Sequence, residues 1–187
     1  MVDPRIARSR TAVIEAALEL LGDVGYAGLS IDAISKRSGV ARTTIYRHWS
    51  SLAEIVHEAA VSTSELHAPP DTGDARADLR AMFAGLAHKL TQTEWGRMLP
   101  SLVDAAGRDP EILAMQERFT ADRREAGMCV IRLGAERGQV RTDVDLEMLA
   151  EMVVGALFAR RLINHQPLDD EFLDRLVDTV WPLIAAD

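Results

Sequence analysis

Two short helix-forming stretches, IDAISKR (Ile31 to Arg37) and ARTTIYRHW (Ala41 to Trp49), are separated by only Ser38, Gly39 and Val40. A break this short leaves the chain few ways to continue. Ser30 is a good N-cap for the first stretch, and the glycine supplies the positive φ that a tight turn requires. Ile34, Val40 and Ile45 fall where the two helices must meet, so the charged and hydroxylic positions of the second face outward. Two helices joined by a three-residue, glycine-containing turn make a helix-turn-helix unit.

The remainder of the chain reads as helix throughout. β-branched runs are scarce, and Ala, Leu, Glu and Arg dominate a chain of 48% hydrophobic and 27% charged residues, a composition that favours helix. In the first helix, about residues 5–22, Ile6, Val13, Ala17, Leu20, Leu21 and Val24 recur at three- and four-residue spacing, and Gly22 and Gly25 are expected to end it. The helix-turn-helix pair follows. A fourth helix, capped by Ser50 or Ser51, is expected to run to about His67. APPDTG, from Ala68 to Gly73, stops it, and its stretch Pro69 to Gly73, PPDTG, is the clearest linker. Further helices are expected over about 74–92, 95–107, 110–137, 145–164 and 169–185, with Pro110 in a first turn, where proline is tolerated. The expected fold is therefore all-α, with about nine helices. A three-helix head over residues 1–50 precedes a larger helical body over residues 51–187.

Charge separates the same two regions. The net charge is −8, yet residues 1–50 carry +2 and residues 51–187 carry −10. A mildly basic head on an acidic body suits a head that meets a polyanion. The second helix of a helix-turn-helix enters the major groove with its N-terminal residues at the base edges. Arg42 stands at that end and can reach guanine O6 and N7 in bidentate fashion. Thr43 and Thr44 are short enough for close approach, and Tyr46, Arg47 and His48 lie where phosphate contacts are expected. The competing reading, a solvated charged face on a small bundle, does not account for the turn that precedes it.

Residues 10–55, and above all GVARTTIYRHW (Gly39 to Trp49), resemble the DNA-binding domain of the TetR/AcrR family of transcriptional regulators. Gly39, Val40, Thr44, Ile45, Tyr46, His48 and Trp49 carry the resemblance. It implies DNA contacts from Ser30, Arg42, Thr43, Thr44, Tyr46 and His48, and a packing role for Trp49. The chain departs from the family at the start of the fourth helix. A lysine common there is replaced by Leu52, flanked by Ser50 and Ser51. The serine hydroxyls and the backbone N–H groups of that helix start can still hold a phosphate, and the remaining backbone affinity is expected to lean on Arg10 and Arg47. The C-terminal sequence from Arg132 to Ile184 also resembles a common body type in the family, which implies a helical domain for ligand binding and dimerisation.

The residues of the body agree with that implication. Leu146, Leu149, Met152, Val153, Leu157 and Phe158 spread over a wide arc of one helix. Phe172, Leu173, Leu176, Val177, Val180, Leu183 and Ile184 do the same on the next. Arcs this wide need cover on more than one side. Two copies of the pair around a two-fold axis form a four-helix interface, and a two-fold dimer also suits a palindromic double-stranded DNA operator. The alternative is that both arcs face the protomer's own core. A pocket for a small apolar or amphipathic ligand is expected among the middle helices, lined by Trp95, Met98, Leu99, Leu102, Met115, Phe119, Met128, Cys129, Met152 and Phe158. Ordinary core packing is the competing role for each of these.

Enzyme signatures are lacking. The histidines His48, His57, His67, His88 and His165 fall in no recognised ligand spacing, Cys129 sits mid-helix between apolar neighbours, and neither a phosphate loop nor a nucleophile elbow is present. No metal, cofactor or catalytic residue is expected. With one cysteine, no signal-like start and no apolar run near membrane-spanning length, a cytoplasmic setting is expected. These features describe a dimeric, ligand-responsive, sequence-specific DNA-binding regulator, more readily a repressor than an activator. The alternatives are a non-specific DNA binder, which would want a more basic surface, and an all-helical small-molecule binding protein or enzyme with a vestigial head.

Overall fold

In a computed structural model, which describes residues 4–63 and 70–186, the chain folds into nine α-helices among the described residues. They are α1 (Pro4–Val24), α2 (Ile31–Ser38), α3 (Arg42–His48), α4 (Leu52–Ser62), α5 (Ala75–Gln92), α6 (Glu94–Ala106), α7 (Pro110–Glu136), α8 (Leu146–Phe158) and α9 (Asp170–Ile184). Among the described residues the one extended pairing is an isolated antiparallel bridge, Val140 to Ala185. The expected arrival of α4 at His67 lies outside the described residues. So does Pro69, the start of the expected linker.

Two compact units form. The first holds α1–α4, α6 and the beginning of α7; the second holds α5, the remainder of α7, α8 and α9. In the first, Val13, Ile14, Ala17 and Leu21 of α1 are buried with Ile34, Ile45, Trp49, Ile55 and Val56 from α2–α4. Gly22 does not end α1, which continues to Val24. Val24 is half exposed rather than part of the buried face. The next three residues, Tyr26–Gly28, form a 3-10 turn that folds back over its side chain. A Cβ at Gly28 would lie 2.8 Å from Val24 side-chain atoms, so no larger residue fits there without a shift.

That turn is tied to α6 and α7. Tyr26 N–H donates to Ser101 Oγ at 2.5 Å, and its hydroxyl donates to Asp109 Oδ2 at 2.7 Å. Asp109 also caps α7, its Oδ1 accepting from Glu111 N at 2.9 Å. The bond from Tyr26 is the main reason that its carboxyl is held below the usual range.

In the second unit the buried Asp78 carboxylate closes the loop before α5, accepting from Thr72 N at 3.0 Å and from Thr72 Oγ1 at 2.8 Å. Arg80 of α5 reaches Asp170 and Asp174 of α9 at 2.6 and 3.0 Å, and Arg76 pairs with Asp178 one turn further on. The expected helix over 145–164 is α-helical only to Phe158; Ala159–Ile163 continue as a π-turn. Arg160 explains the change. It donates to Pro167 O at 2.7 Å and Gln166 Oε1 at 2.9 Å, and its guanidinium stands over the Phe172 ring at 4.4 Å, so the final turn is drawn toward the loop and α9.

Only part of each wide apolar arc is covered. Leu149, Val153 and Leu157 of α8 and Leu173, Val177, Val180 and Ile184 of α9 are buried, whereas Met148, Met152, Val154 and Leu183 are exposed.

Candidate nucleic-acid interface

The turn between α2 and α3 is built as its composition demands. Gly39 takes φ 70°, the left-handed conformation, and its N–H donates to Ser35 O. Ser35 Oγ–H donates to Val40 O at 2.7 Å, and Val40 N–H donates to Ser38 Oγ at 3.2 Å. Three hydrogen bonds within six residues thus fix the angle at which α3 leaves α2.

Ile45 and Trp49 hold α3 from beneath, at 0% and 3% exposure. A helix this short turns its remaining positions outward. Arg42, Thr43, Tyr46 and Arg47 are exposed, and Thr44 and His48 are half-buried. Tyr46, at 60% exposure, is a large aromatic ring left in solvent. Nε2 of His48 is buried without a hydrogen-bond partner, and its ring meets that of Trp49 edge-on at 5.8 Å. Ser30 caps α2, its Oγ accepting from Ala33 N at 3.1 Å, which leaves the hydroxyl hydrogen available to another acceptor.

Three charged groups near this surface are engaged within the protein. Arg10 donates to Glu58 Oε2 at 2.6 Å and stands 5.2 Å from the Trp49 ring centre. The same oxygen accepts from Trp49 Nε1 at 2.8 Å. Arg10, Trp49 and Glu58 therefore tie α1, the end of α3 and α4 together. Arg42 Nη1 donates to Asp32 Oδ1 at 2.7 Å. At the start of α4, the Ser50 N–H and hydroxyl both donate to Glu54 Oε2, at 2.6 and 2.9 Å, and Ser51 Oγ accepts from Glu54 N. Of the two serines expected to hold a phosphate, Ser50 is thus already engaged with a carboxylate and Ser51 Oγ with the cap of α4. The two bonds from Ser50 hold Glu54 below its usual pKa. Asp32 and Glu54 were not singled out by sequence reasoning; an acid in the first turn of each of these helices reads as ordinary complement to the helix dipole.

The residues expected to line a pocket divide between the two units. In the first, Trp95, Met98, Leu99, Leu102, Met115 and Phe119 are buried, and the Trp95 and Phe119 rings stack at 6.0 Å. In the second, Met128, Cys129 and Phe158 are half-buried and Met152 is 50% exposed. Among the described residues no group of three His, Cys, Asp or Glu side chains is arranged to hold a metal ion, and no helix is long and apolar enough to cross a membrane.

An all-helical protein that presents the second helix of a helix-turn-helix, held from below and hydroxylic and cationic above, belongs to the class of DNA-binding regulators. Comparison with known proteins makes the class specific. Residues 13–59 match the family described as bacterial regulatory proteins, tetR family, and residues 69–180 match the tetracyclin repressor-like C-terminal domain. The chain belongs to the TetR family of transcriptional regulators. It is similar to the DNA-binding transcriptional repressor TetR of Mycobacteroides abscessus, with 31% identity over 94% of each chain. It is also similar to the uncharacterized HTH-type transcriptional regulator YdeS of Bacillus subtilis, with 30% identity over 98% of this chain and 93% of the other. A solved structure, the TetR family transcription regulator SCO0332, shares 35% identity and covers 93% of this chain and 97% of its own, with a TM-score of 0.71.

Proposed function

We propose that this regulator is a homodimeric repressor that holds a palindromic operator through two copies of α3 and releases it when a small ligand binds. The observation that carries the reading is the solvent-facing row of Arg42, Thr43, Tyr46 and Arg47 on a helix whose opposite face is locked in the core. Arg42 reads a guanine. Thr43 and Thr44 make close contacts in the groove. Tyr46, Arg47 and His48 meet phosphates, Ser30 contacts the DNA from the cap of α2, and Arg10 offers the backbone the N–H donors that Glu58 leaves free.

Dimerisation is assigned to α8 and α9. Met148 and Met152 are one turn apart on α8, both about half exposed, and Leu183 of α9 is equally exposed. A second copy of the pair would cover them. Met152 therefore serves the subunit seam more naturally than a pocket. Half-site helices must stand roughly 34 Å apart to enter successive major grooves. A ligand that prefers another spacing lowers operator affinity through that preference alone. Its contacts are assigned to Trp95, Met98, Leu99, Leu102 and Phe119 of the first unit, an apolar and polarisable set that suits an apolar or amphipathic molecule. DNA contact is assigned to residues 1–50 and ligand and subunit contact to residues 51–187, in a cytoplasmic protein without catalytic activity, cofactor or metal.

Selection of bound duplexes from a random DNA pool by the purified protein tests the reading. Enrichment of a two-fold symmetric sequence is the expected result. A folded, dimeric protein that enriches nothing would point instead to a ligand binder with a vestigial head.

A further inference from the structure

We infer that Asp32 is a specificity-determining residue: it holds Arg42 with one edge of the guanidinium engaged and the other presented to the major groove. The inference deepens the DNA-binding reading above and rests on it.

The backbone brings the two residues within reach of each other. Asp32 lies in the first turn of α2, which is capped through Ser30, and Arg42 opens α3. The hydrogen-bonded turn through Ser35, Ser38, Gly39 and Val40 sets the distance between them. Arg42 Nη1 meets Asp32 Oδ1 at 2.7 Å, and both side chains remain exposed, at 61% and 71%. The pair therefore lies on the protein surface, at the start of the helix that reads DNA.

A guanidinium carries five N–H donors in a rigid fork, and guanine O6 and N7 require two of them. Asp32 engages Nη1, so the edge formed by Nε and Nη2 is left for a base. An exposed arginine without such a partner samples many rotamers and finds phosphate oxygens as readily as bases, because phosphates are everywhere along the duplex. Asp32 also repels phosphates, and so weakens binding to every sequence alike. A carboxylate beside the base-reading arginine lowers general affinity and raises discrimination. It keeps Arg42 from swinging to the backbone when the wrong base is opposite it.

The test uses the full chain and its variants Asp32→Asn, Asp32→Glu and Arg42→Ala, with circular dichroism to verify folding. Duplexes are selected from a random pool by each protein at near-physiological salt. The base pair whose preference Arg42→Ala loses is the one Arg42 reads. Affinities are then measured for the selected operator and for the same operator with that pair replaced. For Asp32→Asn the expected result is a gain on both duplexes that is larger on the replaced one, so that discrimination falls about two- to fivefold. Asp32→Glu retains most of the discrimination. Equal gains on both duplexes would overturn the inference while leaving DNA reading by Arg42 intact. If Arg42→Ala keeps every base preference, or the unmodified protein selects no sequence, the underlying DNA-binding assignment fails and this inference fails with it.

Discussion

Arg42 and Gly39 show how differently two residues three positions apart contribute. Arg42 is exposed and makes one exposed ion pair, worth about 0.2–1 kcal/mol to the folded state. Its replacement by alanine should leave the melting temperature almost unchanged. Operator affinity, measured by fluorescence anisotropy, should fall about 10- to 100-fold, the range for loss of a bidentate base contact. Gly39 contributes only conformation. Nothing lies within 4 Å of a Cβ placed there, so Gly39→Ala meets no clash and pays solely for φ 70°. The expected loss is about 1–2 kcal/mol of stability, read by calorimetry. A melting temperature equal to that of the unmodified protein would show that the turn can relax to another conformation.

Among elements, the start of α4 and the start of α7 are each governed by one carboxylate. Glu54 is held low in pKa by its bonds from Ser50, and Asp109 chiefly by its bond from Tyr26. Each folded-state pKa lies below the unfolded value, which is near 4 for carboxylates. The stabilisation is therefore complete above that range and disappears as the pH falls through the lower folded values. Glu54→Gln and Asp109→Asn should melt below the unmodified protein at pH 7 and together with it near pH 3; a gap that persists in acid would mean that the carboxylate charge is not what matters. Tyr26→Phe removes one hydrogen bond while keeping the ring, and should cost about 1 kcal/mol in chemical denaturation.

At the scale of the whole molecule, the exposed methionines of α8 mark the surface where a second copy is expected. Met148→Glu with Met152→Glu places like charges on that surface and should leave a folded monomer in sedimentation experiments. Operator affinity should drop in parallel, since a single head makes half the contacts. A double variant that remains dimeric would move the subunit interface elsewhere.

The local pattern determined the elements: apolar spacing, the serine caps, Gly39 and Pro110 place helix starts and stops near where the structure has them, because these signals act within one or two turns. The face of α3 was legible for the same reason, since a seven-residue helix anchored by Ile45 and Trp49 can only present Arg42, Thr43, Tyr46 and Arg47 outward. What joins residues distant in sequence was decided by tertiary structure. The pairing of Asp32 with Arg42, the sharing of Glu58 by Arg10 and Trp49, and the π-turn drawn out by Arg160 all depend on angles between elements. Periodicity carries no information about those angles. It could not tell that Met152 of the α8 arc would remain uncovered, because an apolar position looks the same whether its neighbour is the chain's own core or a second subunit.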